Sequence, residues 1–144
     1  MPEAVIVAYG RSPIGRAHKG SLVGVRADDL AAVVADKVLQ KVPALDRTTI
    51  DDLLCGCGHP YGEQAFNIGR VVSIMARLDV PGTTVNRFCA SSLQTTRMAF
   101  HAIRSGEGEA LRERGASAAP LFQPSRFGGQ LSQLSPPSAA RSAG

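Results

Sequence analysis

The chain reads as an α/β protein in which strands and helices alternate over a mostly parallel sheet. Three observations carry this. Short runs rich in β-branched residues, such as Thr83-Thr84-Val85, are separated by segments with apolar residues at spacings of three to five. The strand-like runs are followed by helix-like ones, the arrangement that builds a parallel sheet covered by helices. This pattern lasts to about residue 110 and then stops.

Residues 4–9, Ala-Val-Ile-Val-Ala-Tyr, show too little alternation for an edge strand and are expected to form a buried central one. Residues 11–24 are a glycine-punctuated loop. Residues 28–41 should be helical: Asp28 and Asp29 suit the positive end of the helix dipole, and Leu30, Val33, Val34 and Val38 line one face. Residues 52–57 read as a second buried strand, with Gly56 and Gly58 loosening its end. Residues 67–76 form a second helix through Ile68, Val71, Val72 and Met75. A strand over 83–87 and a helix over 90–104 follow, the helix carrying Leu93, Met98, Ala99, Ala102 and Ile103 on its apolar side.

Cys89 falls where this last strand turns into the helix. Backbone N–H groups at a helix start, together with the dipole, favour an anion. A thiolate is the nucleophilic form of cysteine. A lone cysteine in an apolar setting ordinarily only packs. The surrounding Asn86-Arg87-Phe88-Cys89-Ala90-Ser91-Ser92 context points to a nucleophile instead. Asn86 is placed to hydrogen-bond near it, and Arg87 to pair with an acidic loop or a partner subunit, although structural roles suit both.

The other chemistry-bearing residues favour plainer readings. Cys55 and Cys57 alternate along one strand face and read as core thiols; only His59 lies near, too few ligands for zinc. His101 lies more than three turns along the helix from Cys89, too far to act as its base. Gly56-Cys57-Gly58-His59-Pro60 lacks both phosphate-loop and dinucleotide patterns and reads as a turn. Asp28-Asp29 and Asp51-Asp52 sit at element starts as caps or solvated charge.

The segment from Val85 to Ile103 resembles the acyl-enzyme motif of thiolases, matching at Asn86, Cys89, Ala90, Ser91, Ser92, Leu93, Thr95 and Ile103, with Thr96 where the family usually has an aliphatic residue. The opening Ala4 to Tyr9 followed by Gly10-Arg11-Ser12-Pro13-Ile14-Gly15 is similar to the thiolase first strand and turn, with Ser12 in place of Thr. Gly62-Glu63-Gln64-Ala65-Phe66-Asn67-Ile68-Gly69-Arg70 is similar to the family's loop and helix start before the nucleophile strand. The resemblance covers residues 4 to about 110. It implies a partial thiolase-like fold lacking its later sheet strands, and an acyltransferase in which Cys89 accepts an acyl group from acyl-CoA. Claisen condensation or thiolysis of a 3-ketoacyl-CoA follows. It implies no resident cofactor, coenzyme A esters being substrates. The activating His and second Cys of the family belong to its C-terminal half and find no counterpart in 111–144, so this chain is expected to be inactive alone. The alternative is a non-catalytic fragment or interaction remnant. A 3-ketoacyl synthase relative shares a similar fold and nucleophile, but the Arg-Ser-Pro-Ile-Gly opening fits thiolases better.

Two units are therefore expected: residues 1–110, the partial thiolase N-terminal domain, and 111–144, a low-complexity tail. Ser, Ala, Pro, Gly and Arg make up 24 of its 34 residues, a composition that suits disorder or a shifted reading frame. Net charge is +4, but residues 1–110 carry 12 basic and 11 acidic side chains, so the excess belongs mostly to the tail. With no aromatic residues interleaved in a basic stripe, nucleic acid is not an expected partner. No signal-peptide pattern or membrane-length apolar run is present, and the odd count of three cysteines suits a reducing, cytoplasmic setting. Partners are expected to be acyl-CoA in a full-length relative, and further copies meeting at open sheet edges.

Overall fold

The computed structural model describes residues 3–16 and 18–107. Among the described residues five helices and strands follow one another: α1 (Ala27–Leu39), β1 (Leu53–Gly56), α2 (Ile68–Met75), β2 (Gly82–Val85) and α3 (Ser91–Ser105). Single turns of 3-10 helix at Arg47–Thr49, Gly62–Gln64 and Phe88–Ala90 punctuate the connections. The architecture is α/β, with a two-stranded parallel sheet.

β1 and β2 pair in the register Leu53 with Gly82, Leu54 with Thr83, Cys55 with Thr84 and Gly56 with Val85. The ladder continues past β1, because the Cys57 N–H donates to Val85 O at 2.9 Å. All four residues of β1 are buried, as expected of a parallel strand covered on both faces. Side chains alternate between faces. Leu53, Cys55 and Cys57 join Ala31, Ala35, Ile68 and Val72 in the main core, so α1 and α2 lie over that side. Gly56 looks the other way, onto the backbone of Ser91 and Ser92 in α3.

The helices use smaller inner faces than their apolar content suggests. α1 buries Ala27, Ala31, Ala32, Val34, Ala35 and Leu39, whereas Val33 faces out. α3 buries Ser91, Thr95 and Ala99, four residues apart, and leaves Leu93 71% exposed. The expected stripe through Leu93 is thus rotated away. Close approach to β1 at Gly56 leaves room only for small side chains, and Thr95 meets its polar need locally by donating to Ser92 O at 2.9 Å.

α2 is anchored by backbone contact. A Cβ on Gly69 would lie 2.5 Å from Thr83 O, and one on Gly82 would lie 2.5 Å from Arg70 N. The start of α2 and the start of β2 therefore touch without side chains between them. Asn67 secures the junction: its Oδ1 accepts from Thr84 Oγ1 at 2.8 Å and from the Arg70 N–H at 3.3 Å, and its Nδ2 donates to Gly82 O at 2.7 Å. Thr84 Oγ1 in turn accepts from the Gly69 N–H at 2.9 Å. Inside the following turn, fully buried Ser73 places its hydroxyl 2.7 Å from Val80 O and 3.1 Å from Leu78 O.

The expected buried strand over residues 4–9 is not formed. This stretch is extended but irregular, with Ile6 80% and Tyr9 83% exposed. A strand needs a backbone neighbour, and among the described residues none pairs with it. It touches the rest through the end of α1, where Lys41 Nζ donates to Tyr9 O at 2.8 Å and lies over the Tyr9 ring. The proposed boundary at 110 and the tail over 111–144 lie outside the described residues.

The acidic start of α1 is also more specific than a solvated cap. Asp28 is buried and grips Arg26 with both oxygens, at 2.7 and 3.0 Å. Glu63 reaches across from the 62–64 turn, and its Oε2 accepts from the Ala27 N–H at 3.2 Å. The Arg26 guanidinium holds the Asp28 carboxyl below its ordinary value, against the opposing effect of burial.

Two outcomes follow. Gly69→Ala and Gly82→Ala should each destabilise the fold by about 1–3 kcal/mol, measured by urea unfolding, because the added Cβ meets backbone rather than a movable side chain. Asp28 contributes stability that is complete above the unfolded carboxyl pKa of about 3.9 and is lost as pH falls through its depressed folded value. Thermal melts across pH 6 to 2 should show this acid loss, and Asp28→Asn should flatten it.

Candidate functional site

Cys89 occupies the middle of the Phe88–Ala90 turn that joins β2 to α3, and it is exposed. β-branched Thr83, Thr84 and Val85 hold the chain extended up to this point. α3 begins at Ser91 rather than at Ala90, so the thiol stands just before the helix. The position lies at the carboxyl end of a parallel strand, where open α/β sheets present their ligand sites.

The turn is closed by two side chains. Asn86 Oδ1 accepts from the Phe88 N–H at 2.9 Å, the Asx arrangement that lets a short polar residue mimic a backbone turn. Ser91 works from the other side: its Oγ accepts from the Arg87 N–H at 2.8 Å and donates to Phe88 O at 2.6 Å. Between them Phe88 has φ 48°, the left-handed region that a bulky residue adopts at a cost of about 1–3 kcal/mol. A Cβ on Gly56 would lie 2.6–2.7 Å from the Ser91–Ser92 backbone, so the start of α3 rests directly on β1.

Asn86 thus bonds the backbone of the turn that carries Cys89, a structural role. Arg87 does not meet an acidic loop among the described residues; its Nη1 donates to Gln94 Oε1 at 2.7 Å, one helix face along. Thr96, the departure from the aliphatic pattern, donates to Ser92 O at 3.0 Å and so adds a bond within the helix. His101 accepts from Arg97 Nε at 3.3 Å and stacks edge-on against Phe100. Among the described residues no side chain hydrogen-bonds the Cys89 thiol.

The other two thiols contrast with Cys89. Both are buried. Burial pushes Cys55 up to about 12, with neighbouring Cys57 adding to it. Burial also raises Cys57, partly offset by a backbone hydrogen bond from His59, and its thiol donates to Gln64 Oε1 at 3.4 Å. Among the described residues no three His, Cys, Asp or Glu side chains gather into a metal-binding group, and no helix is long and apolar enough to cross a membrane.

Ser91, Phe88 and Gly56 are the site residues that sequence reasoning missed as individuals. The Ser91 signal was available, since a serine four residues past Arg87 at a strand–helix junction is positioned to close a turn. The left-handed Phe88 left no signal in the residue type.

Residues 4–115 match the thiolase N-terminal domain family. A β-ketoadipyl-CoA thiolase of Escherichia coli is 44% identical over 113 residues, covering 77% of this chain and 28% of the relative. A 3-ketoacyl-CoA thiolase of Bacillus subtilis (strain 168) is 44% identical over 108 residues, covering 74% and 27%. A β-ketoadipyl-CoA thiolase of Acinetobacter baylyi is 42% identical over 109 residues, with the same coverage. The chain therefore spans little more than a quarter of the length of the curated relatives it matches.

Iodoacetamide at neutral pH should label Cys89 in the native chain at least roughly tenfold faster than Cys55 or Cys57, because the latter are buried thiols held in the protonated form. Peptide mass spectrometry resolves the three sites, and equal rates under native conditions would count against an accessible nucleophile at Cys89.

Proposed function

Because the chain belongs to the thiolase family, we propose that Cys89 is its acyl-accepting nucleophile. The carrying observation is its exposure in a side-chain-closed turn at the end of β2, while Cys55 and Cys57 are buried. In the step proposed, the Cys89 thiolate attacks the thioester carbonyl of an acyl-CoA. The sulfur–carbon bond to the protein forms, the bond to coenzyme A breaks, and CoA leaves as its thiolate. Condensation with a second acyl-CoA, or the reverse thiolysis of a 3-ketoacyl-CoA, completes the reaction class. The names of the relatives support 3-ketoacyl-CoA esters as the substrate class.

That chemistry needs a base for the thiol, an acid/base for the α proton and donors for the oxyanion. The described residues offer Cys89 and the backbone N–H groups of its turn. They bring no histidine and no second accessible cysteine to the thiol. We read the chain alone as competent for slow acylation and not for turnover. Coenzyme A esters act as substrates and no resident cofactor is needed. A reducing cytoplasmic setting suits three free thiols.

A second reading, a non-catalytic interaction fragment, is favoured by one observation. Val5, Ile6, Val7 and Tyr9 expose apolar side chains in an extended segment, and β1 and β2 each have one edge without a partner strand among the described residues. Such surfaces favour self-association.

Incubating the full chain with acetyl-CoA should leave an acetyl group on Cys89 that hydroxylamine removes, and Cys89→Ala should abolish it. Acetoacetyl-CoA thiolysis should not exceed that of Cys89→Ala, because each absent acid/base group costs roughly 10²–10⁴-fold. Cys89-dependent turnover would overturn inactivity of the isolated chain; failure of any acyl mark to form would overturn the nucleophile assignment.

A further inference from the structure

Among the described residues four non-glycine ones have positive φ: His18, Phe66, Arg77 and Phe88. Only Phe88 adjoins the proposed nucleophile. Its side chain is 70% exposed, so packing does not hold the backbone in this conformation. Local hydrogen bonds do. The N–H of Phe88 is held by Asn86 Oδ1, and its carbonyl by both the N–H and the hydroxyl of Ser91. Beside the backbone bond from the Ala90 N–H to Arg87 O at 3.0 Å, Ser91 is the side chain that spans the whole turn, since the same hydroxyl accepts from the Arg87 N–H.

Ser91 is also the fixed member of this set. It is 2% exposed, and its backbone lies against Gly56 of β1 at distances that exclude even a methyl group. The sheet therefore locates Ser91, Ser91 locates the Phe88 carbonyl, and the Phe88 peptide sets the direction from which Cys89 leaves the turn. From these contacts we infer that Ser91 is a positioning residue for Cys89: it keeps Phe88 left-handed and so holds the thiol against the start of α3. The inference rests on Cys89 being the nucleophile. It assigns Ser91 no contact with substrate.

The mechanism is specific enough to be reversed. Glycine enters the left-handed region without the steric cost that phenylalanine bears. If the hydroxyl of Ser91 serves to hold that conformation, replacing Phe88 by glycine should make the hydroxyl less necessary. A purely stabilising hydroxyl predicts no recovery of the Cys89 rate in a folded chain, because relieving strain at Phe88 would then change stability without changing how the thiol is held.

The readout is the iodoacetamide rate at Cys89 in the full chain at neutral pH, relative to the urea-unfolded chain, with Cys55 and Cys57 labelling reporting loss of fold. Ser91→Ala should lower the native Cys89 rate about fivefold toward the unfolded rate while Cys55 and Cys57 stay protected. Adding Phe88→Gly to Ser91→Ala should restore at least about half of that loss. Asn86→Ala should act in the same direction as Ser91→Ala, because it releases the other side of the Phe88 peptide.

A folded Ser91→Ala chain whose Cys89 rate is unchanged overturns the inference. So does a double variant no faster than Ser91→Ala alone. If Ser91→Ala does not fold, the double variant is read at Cys89: with Cys55 and Cys57 protected again, a Cys89 rate at least about half the wild-type rate supports the inference, and a rate at the unfolded value, or continued exposure of both core thiols, overturns it. The assay contains no CoA ester, so these outcomes are separate from acyl transfer. A wild-type Cys89 rate no greater than in the unfolded chain would instead remove the nucleophile reading.

Discussion

Backbone-to-backbone contact through glycine is the constraint on which the rest of this structure depends. Gly56 lets the start of α3 rest on β1, and Gly69 and Gly82 let the start of α2 rest on β2. Both helix starts are thereby referenced to the sheet at van der Waals distance rather than through flexible side chains. The consequence reaches the helix faces. With the backbones this close, α3 buries Ser91, Thr95 and Ala99, and the hydroxyls of Ser91 and Thr95 find partners within the helix or the turn before it. Ser91 bonding back to Phe88 and Arg87 thus meets a satisfaction requirement and shapes the turn at once.

The same economy of polar groups recurs around α2. Thr84 donates to Asn67, and the two side chains bond the backbone of Arg70, Gly69 and Gly82 where the helix meets the strand. Ser73 and Arg70 close the return toward β2 by bonding to Val80 O. A chain with 5% aromatic content has few large anchors to fix its geometry. Networks of short polar side chains take that part here, and they all converge on β2, the strand that delivers Cys89.

Chemically, the result is an asymmetric set of thiols. Cys55 and Cys57 face the core, where desolvation holds them protonated. Cys89 stands outside it, in a turn whose conformation is held by its own neighbours. A side chain that another molecule is to reach while its backbone stays fixed needs this separation. Placing the thiol on a strand–helix junction gives the fixed backbone; leaving Phe88 and Cys89 exposed gives the access.

The order of elements was legible in the sequence, because helix and strand periods are local properties of residue type. So were the contrast between Cys89 and the paired Cys55 and Cys57, the bonding role of Asn86, and the family, whose motif lies in contiguous residues. Other features depended on distant neighbours. Residues 4–9 have the composition of a central strand, but pairing requires a partner that composition cannot supply, and the described residues leave the segment exposed. Val33 and Leu93 have the spacing of core residues, yet α1 and α3 bury other faces and leave them exposed. The residues around Cys89 set it apart from Cys55 and Cys57 in the sequence. Only tertiary structure decided how it is held, because a left-handed phenylalanine, a serine spanning a turn and a glycine beneath a helix are set by what lies across the fold.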